Sequence, residues 1–317
     1  MILLSVLLLI GSLFLIALVS DKIISYTLVL SKWLGFSEMA AGFILLSITT
    51  SLPELSVSIL SSISGEGGLS VGNVLGSNIA NLTIIIGLAV FLSKTAIHIK
   101  GESQKELVQF LFLSSVIPLF IVQRGSLGPV LGFVLLILFV YFSFTISKTP
   151  KQSQIAEQPD ELTEKPVRAG LKFICCLLII IFLSQLVVDS SLDIADFVNL
   201  PSSIIGATII GVGTSIPELA TTVQTLKKKY YEMALGNLLG SCITNITLVL
   251  GISSLVSFSE VNILAVESIM FYVLISSLTV WYMISSNKSI NKKGAVFLCA
   301  IYAAFVLQQI GVSIFIF

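Results

Sequence analysis

Charged residues are scarce in this chain of 317 amino acids. They make up 11% of the sequence, whereas hydrophobic residues make up 56% and the mean hydropathy is +1.05. Soluble domains carry roughly 25% charged residues, and a soluble fold could not bury this much apolar surface, so we expect lipid to surround the protein. The 17 basic and 17 acidic residues balance, and this zero net charge gives no support to nucleic-acid binding.

Histidine and cysteine are also rare. The sequence has one histidine, and its four cysteines lie in apolar runs without metal-type spacing: Cys175, Cys176, Cys242 and Cys299. We therefore interpret the cysteines as small buried hydrophobes and expect neither disulfides nor a zinc site. No nucleophile–base pair is evident, so an intramembrane enzyme is disfavoured and no enzymatic activity is predicted.

Long apolar runs make up most of the sequence. A membrane helix needs about 20 mainly apolar residues. The segments that qualify are 2–30, 39–63, 69–92, 104–122, 126–147, 170–194, 203–226, 231–257, 262–286 and 294–315. We therefore predict an all-α integral membrane protein with ten transmembrane helices. A polar stretch predicts a connector at 148–168 between five-helix units at 1–147 and 169–317.

Basic residues predict the orientation of these spans. Almost all of them fall in loops that follow odd-numbered spans, whereas the loops after even-numbered spans hold only Arg124. Cytoplasmic loops of membrane proteins carry the excess of Lys and Arg. We therefore predict a multi-pass protein of the cell membrane, with both termini extracellular and the middle loop cytoplasmic.

One pair of motifs occurs twice with the same spacing. Residues 50–55 read TSLPEL and residues 214–219 read TSIPEL, while GNVLGS at 72–77 returns as GNLLGS at 236–241. Because each unit has an odd number of spans, the two copies must cross the membrane in opposite directions. The sequence thus predicts two inverted five-helix repeats, an architecture typical of secondary transporters.

A proline in each copy predicts a broken helix. Pro53 has no amide hydrogen and clashes with the carbonyl of Thr49, so predicted span 2 must kink or break there. Pro217 has the same effect on predicted span 7. A carbonyl freed at membrane depth needs a partner, and a bound cation can provide one.

Each broken segment combines one carboxylate with neutral oxygen donors. Glu54 and Glu218 are functional candidates by default, because an ionisable group inside a membrane is costly and rare. Hydroxyl groups flank them at Thr50, Ser51, Thr214 and Ser215. Polar stripes with four-residue spacing follow at Asn73, Ser77 and Asn81, and again at Asn237, Ser241 and Asn245. Asn73 and Asn237 are equally candidates for bonds between helices.

This donor set favours hard cations. Carboxylate, hydroxyl, amide and backbone oxygens suit Ca²⁺ and Na⁺. Two ionised glutamates match one Ca²⁺, and several Na⁺ or protons could replace it. A site that is costly when empty and charged favours exchange over leak. Three transport functions stay open at this point: a Na⁺/Ca²⁺ antiporter, an H⁺/cation antiporter that uses the same glutamates, and a cation channel.

The duplicated motifs resemble the two alpha-repeats of the cation/calcium antiporter superfamily, and the prokaryotic sodium/calcium exchangers are the most similar branch. The resemblance implies Ca²⁺ export driven by Na⁺ influx, with alternating access produced by sliding of spans 1 and 6 across the other spans. It implies that Glu54 and Glu218 are the central Ca²⁺ ligands and are shared in turn with Na⁺. The other implied ligands are Thr50 and Thr214, the Na⁺-site serines Ser51, Ser77, Ser215 and Ser241, the middle-site amides Asn81 and Asn245, and the backbone carbonyls of Ser47 and Gly211.

Two positions depart from the family pattern. Thr49 replaces the glycine that is usual before the Thr-Ser pair, and Asn245 stands where some relatives carry Asp. Potassium-dependent members resemble the Asp pattern, so K⁺ dependence is not expected. Proton-coupled members share the glutamates, which leaves the coupling ion open. We expect no resident cofactor; the partners are inorganic cations and the lipid bilayer, and no protein partner is predicted.

Overall fold

The structure is a computed structural model that describes residues 2–63, 67–98, 102–119, 126–148, 165–197, 211–256, 259–260, 263–287 and 289–309. Before the connector the helices are α1 (Ile2–Leu34), α2 (Glu38–Thr50), α3 (Leu52–Ile63), α4 (Gly67–Ala80 with Asn81–Ile85 and Ile86–Ser93), α5 (Glu102–Val116) and α6 (Pro129–Ser147). After it they are α7 (Pro166–Phe197), α8 (Gly211–Thr214), α9 (Ile216–Lys227), α10 (Tyr231–Thr244 with Asn245–Val249 and Leu250–Val256), α11 (Ile263–Asn287) and α12 (Lys292–Gln309). Most of the predicted connector and the first part of predicted span 7 lie outside the described residues.

Several of these helices are long and apolar enough to cross a membrane. Within the described residues five qualify by length and composition: Ser70–Ser93, Pro129–Ser147, Pro166–Leu183, Tyr231–Val256 and Val266–Ser286. The bent pair α2 and α3 brings the number to six if it counts as one span. The all-α membrane class predicted from composition is thus supported, and α1 and α7 extend a few residues beyond their predicted spans.

Large apolar side chains cover the outside of the molecule. Leu3 and Phe14 on α1, and Val130 and Ile137 on α6, are more than half exposed. Such a surface is stable only in lipid.

Cys175 lies on the outer side of α7 and is exposed, so its interpretation as a buried residue was wrong, because apolar side chains on this helix also face outward. Cys176 and Cys299 are partly exposed, and Cys242 is buried.

Helices α1 and α7 pack together along their length at one side of the broken helices. Their buried apolar residues form small clusters of their own, in which Ile24 and Phe173 meet Leu46 of α2, and Ile16 meets Leu183. The main apolar core lies elsewhere, around α4, α10 and the helices beside them. The α1–α7 pair therefore contacts the rest of the molecule through an apolar layer that is separate from the main core.

Glycines let the broken helices approach α4 and α10 at backbone distance. A Cβ placed on Gly236 of α10 would lie 2.5 Å from the carbonyl oxygen of Met39 and 3.1 Å from Cα of Gly42. On the other side of the molecule, a Cβ on Gly211 would lie 3.2 Å from the carbonyl carbon of Gly76 in α4. Small residues at such crossings allow close helix packing in membranes. Here they bring the polar stripes of α4 and α10 against the two helix breaks.

Two short antiparallel ladders join the chain segments before and after the connector. Strand β1 (Ile97–His98) pairs with β4 (Ser289–Ile290), and β2 (Ser126–Leu127) pairs with β3 (Ser259–Glu260). Each ladder takes one strand from each segment. The two segments are therefore connected by backbone hydrogen bonds as well as by helix packing.

Candidate functional site

The two helix breaks have the same local geometry. Ser51 separates α2 from α3 with φ −83° and ψ 7°, and Ser215 separates α8 from α9 with φ −85° and ψ 5°. The axis bends by 42° at Ser51. The sequence predicted both breaks from Pro53 and Pro217, which lie in the first turn of the helix that follows each break.

Glu54 and Glu218 lie in those first turns and are completely buried. Each acid is contacted by a hydroxyl from the opposite break. Ser215 Oγ lies 3.4 Å from Glu54 Oε1, and Ser51 Oγ lies 3.5 Å from Glu218 Oε1. The Oε2 atom of each glutamate is buried and has no hydrogen-bond partner among the described residues. The two acids therefore share one buried site, and each has an oxygen available to a ligand.

The hydroxyl groups beside the glutamates form a second reciprocal pair of contacts. Ser77 Oγ on α4 lies 3.2 Å from Thr214 Oγ1, and Ser241 Oγ on α10 lies 3.5 Å from Thr50 Oγ1. All four side chains are at most 1% exposed. The structure thus brings the serines and threonines predicted from sequence to the same two breaks.

Two amides complete the buried polar cluster. Asn81 and Asn245 are fully buried, and each begins a turn of π-helix, Asn81–Ile85 and Asn245–Val249. Such turns are rare and concentrate at functional sites. Within the part of the chain that the structure describes, both polar atoms of the Asn81 side chain and Oδ1 of Asn245 have no hydrogen-bond partner. A buried polar group left unpaired costs about 1–3 kcal/mol, so a ligand that pairs with these atoms is favoured.

Asn73 and Asn237 connect helices. Asn73 Nδ2 donates to the carbonyl of Glu54 over 3.1 Å and to Ser58 Oγ over 3.0 Å. Asn237 Nδ2 donates to the carbonyl of Glu218 over 3.4 Å and to Thr221 Oγ1 over 2.9 Å. These bonds hold α3 against α4 and α9 against α10, and so fix the first turns that carry the glutamates.

Ser47 and Gly211 lie one turn before the breaks. The family resemblance implies that their backbone carbonyls are cation ligands. The Gly211 carbonyl accepts Ser215 Oγ at 2.9 Å and Ser77 Oγ at 3.4 Å. The Ser47 carbonyl accepts Thr50 Oγ1 at 3.4 Å. Both carbonyls therefore adjoin the hydroxyl cluster.

Sequence reasoning missed one residue of the cluster, Asn78. Its side chain is fully buried, donates through Nδ2 to the carbonyl of Cys242 over 3.0 Å, and accepts from Asn245 Nδ2 over 3.2 Å. The repeat did not mark this position, because Cys242 occupies the corresponding place in the second copy. The available signal was a further asparagine in an apolar span that already carries the polar stripe of Asn73, Ser77 and Asn81.

The chemistry of the donors is uniform. Among the described residues, no three His, Cys, Asp or Glu side chains come together as a metal cluster. The site consists instead of two carboxylates surrounded by hydroxyl and amide groups. Such all-oxygen surroundings suit hard cations that exchange rather than soft metals held permanently.

A buried oxygen-lined site with two carboxylates, inside helices whose outer surface requires lipid, defines a membrane protein that handles hard cations. The chain belongs to the family of sodium/calcium exchanger proteins, whose family model matches residues 4–148 and 169–311.

The chain is similar to individual relatives over most of their length. The chain is 32% identical to the inner membrane protein YrbG of Escherichia coli strain K12, with 83% of each chain covered. It is 29% identical to the sodium/calcium exchanger MaX1 of Methanosarcina acetivorans, with 91% of this chain and 93% of the relative covered. Its fold matches a solved structure of the sodium-calcium exchanger NCX_Mj with a TM-score of 0.79 at 24% identity, covering 96% of this chain and 98% of that chain.

Proposed function

We propose that this protein is a secondary antiporter that exchanges Na⁺ for Ca²⁺ across the cell membrane and exports Ca²⁺ by using Na⁺ influx. One observation carries the proposal: two fully buried carboxylates, each contacted by the opposite helix break, each keep an oxygen without a partner. The family assignment supports it, and so does the similarity to MaX1, which is a sodium/calcium exchanger.

The proposed ligands are those that the family resemblance implies, and the contacts between the two helix breaks support them. Glu54 and Glu218 bind Ca²⁺ between the breaks and release it to Na⁺. Neutral oxygens complete the coordination and form the flanking Na⁺ positions. These are contributed by Thr50, Thr214, Ser51, Ser215, Ser77, Ser241, Asn81 and Asn245, together with the carbonyls of Ser47 and Gly211. Asn73 and Asn237 position the glutamates, and the site needs no resident cofactor and no covalent chemistry.

Exchange, rather than free passage, follows from charge. Two ionised carboxylates inside a membrane are unfavourable unless cations neutralise them. The site therefore changes sides loaded with either Ca²⁺ or Na⁺. In the proposed mechanism ten spans form two inverted five-helix units, with both termini outside and the connector in the cytoplasm. The α1–α7 pair slides over the remaining helices across its separate apolar layer.

Flux through purified protein in liposomes tests the proposal. Vesicles loaded with ⁴⁵Ca²⁺ should release it when Na⁺ is added outside and retain it when choline replaces Na⁺, with the pH equal on both sides. Release driven equally well by a proton gradient without Na⁺ would instead assign H⁺ as the coupling ion, since an unpartnered carboxyl oxygen can also hold a proton. Release without any counter-ion would identify a channel.

The reciprocal serine contacts give a matched pair of variants. Ser51→Ala and Ser215→Ala each remove one hydroxyl that contacts the opposite glutamate, and the two contacts are nearly equal in length. Each change should raise the Na⁺ concentration for half-maximal Ca²⁺ release by about 3–10-fold, the effect of losing roughly one hydrogen bond. The Na⁺ dependence of ⁴⁵Ca²⁺ release measures it.

Ser56→Ala is the control for this pair. Ser56 lies on α3 near Glu54, but its side chain is exposed and bonds only to the carbonyl of its own helix at Leu52. The Na⁺ dependence of ⁴⁵Ca²⁺ release by Ser56→Ala should match that of the unmodified protein. An effect at position 51 without one at position 215 would contradict the proposal that both breaks contribute equivalent Na⁺ ligands.

A further inference from the structure

The two middle amides of the site are not equivalent in their surroundings. Asn81 and Asn245 occupy corresponding places in the two motif copies, and each begins a π-helical turn. Asn245 is hydrogen-bonded through its side chain to Asn78, whereas neither polar atom of the Asn81 side chain has a partner among the residues that the structure describes. The difference arises one turn earlier, where Asn78 of α4 corresponds to Cys242 of α10.

A backbone carbonyl fixes the orientation of two amides in series. The carbonyl oxygen of Cys242 can only accept, so the group of Asn78 that faces it at 3.0 Å must be the NH₂. The oxygen of Asn78 therefore faces Asn245 at 3.2 Å, and Asn245 must present its own NH₂ there. Oδ1 of Asn245 is consequently turned away from Asn78, where it is buried without a partner.

The first motif copy has no such chain of bonds. Its mirror image would need an amide at position 242, and the cysteine there supplies only a weak sulfur donor and acceptor. Nothing in the described residues therefore fixes which atom Asn81 presents. The orientation of the Asn245 amide is therefore fixed, whereas Asn81 can present either its oxygen or its NH₂.

We infer that Asn78 is a positioning residue that directs the carbonyl oxygen of Asn245 toward the transported cation and thereby sets the Ca²⁺ affinity of the site. The inference rests on the proposed function and adds a determinant of affinity that lies outside the cation ligands. Asn78 acts through Asn245. Its contribution to Ca²⁺ affinity should therefore disappear when the side chain at position 245 carries two oxygens instead of one oxygen and one NH₂.

A double-mutant cycle between positions 78 and 245 tests this dependence. Asn78→Ala frees the Asn245 amide to rotate, and should raise the Ca²⁺ concentration for half-maximal exchange about tenfold while the maximal rate changes less than about twofold. Asn245→Asp makes both ends of the side chain oxygen. In that background Asn78→Ala should not weaken Ca²⁺ binding, because a carboxylate presents oxygen in either orientation.

The readouts separate positioning from a purely structural role. Ca²⁺-dependent exchange and the Ca²⁺-induced rise in melting temperature are measured for all four proteins, together with the melting temperature without Ca²⁺. An equal loss of Ca²⁺ affinity in both backgrounds would overturn the inference, because it would show that Asn78 acts without Asn245. Absence of Na⁺-driven exchange in the unmodified protein would instead count against the proposed function. If Asn78→Ala does not fold, Asn78→Ser gives the same cycle, because its hydroxyl can donate to the Cys242 carbonyl but is too short to hold Asn245.

Discussion

Glu54→Gln and Glu218→Gln should each abolish Na⁺-driven ⁴⁵Ca²⁺ release, with a loss of at least about 100-fold. The substitution keeps the shape of the side chain but removes one of the two negative charges that a divalent cation needs. Removing one partner of a buried pair of opposite charges, here the carboxylate that faces the bound cation, costs about 3–5 kcal/mol. This is more than a 100-fold change requires. The two variants should lose activity to a similar extent, because the environments of the two acids are nearly reciprocal.

The same variants should fold well. Without a bound cation the site holds two buried carboxylates, and a neutral amide in place of one of them relieves that cost. We therefore expect a higher melting temperature than that of the unmodified protein in cation-free detergent, and no further rise when Ca²⁺ is added. This combination distinguishes the loss of a ligand from misfolding.

Glu106→Gln is the matched control for these glutamate variants. Glu106 lies on α5, and its side chain is exposed, away from the helix breaks. Its exchange activity should be unchanged. Retention of Na⁺-driven Ca²⁺ release by Glu54→Gln would refute the assignment of the buried acids as ligands.

Gly236→Val should strongly reduce stability. The Cβ of any side chain at this position would lie 2.5 Å from the Met39 carbonyl oxygen and 3.0 Å from the backbone nitrogen of Phe43. Backbone atoms cannot move aside as a flexible side chain can. Overpacking commonly costs about 1–3 kcal/mol, and a clash with two backbone atoms should reach or exceed the upper end. The melting temperature and the yield of monodisperse protein in detergent measure the effect.

Gly170→Ala provides the comparison. Gly170 lies within α7, and a Cβ there would meet only Leu30 Cδ2 at 3.8 Å, an ordinary contact. Alanine also favours helix by up to about 1 kcal/mol over glycine, so this variant should be as stable as the unmodified protein or slightly more so. Normal folding of Gly236→Val would show that α2 and α10 can separate at this crossing without loss of the fold.

Much of the fold could be predicted from the hydropathy of the sequence and from two prolines. Apolar runs of sufficient length identified the helices, and the missing amide hydrogens of Pro53 and Pro217 located the breaks at Ser51 and Ser215. The outward position of Cys175 did not follow, because in a membrane protein an apolar neighbourhood in sequence is compatible with a surface as well as with a core. The paired strands were also unpredictable, since two-residue ladders between distant loops leave no periodic pattern.

The candidate site was predictable wherever the sequence repeats itself. Duplication singled out Glu54 and Glu218, and the structure places both in one buried cluster. Asn78 was not predicted, because the corresponding residue in the second copy is Cys242 and the repeat therefore does not mark this position as polar. The π-helical turns that begin at Asn81 and Asn245 were not predicted, because such turns are rare and the sequence gives no local signal for them.

The pairing of the four short strands bears on how such a molecule could originate. Strands β1 and β3 follow the equivalent helices α4 and α10, while β2 and β4 precede α6 and α12. Each ladder therefore pairs a strand that follows α4 or α10 with a strand that precedes the last helix of the other segment. The β1–β4 and β2–β3 ladders are thus equivalent contacts, with the two segments exchanged. Two identical ancestral subunits related by a two-fold axis would form both ladders, since residue i then meets j wherever j meets i. Fusion of their genes would have released each copy to diverge, as positions 78 and 242 have done.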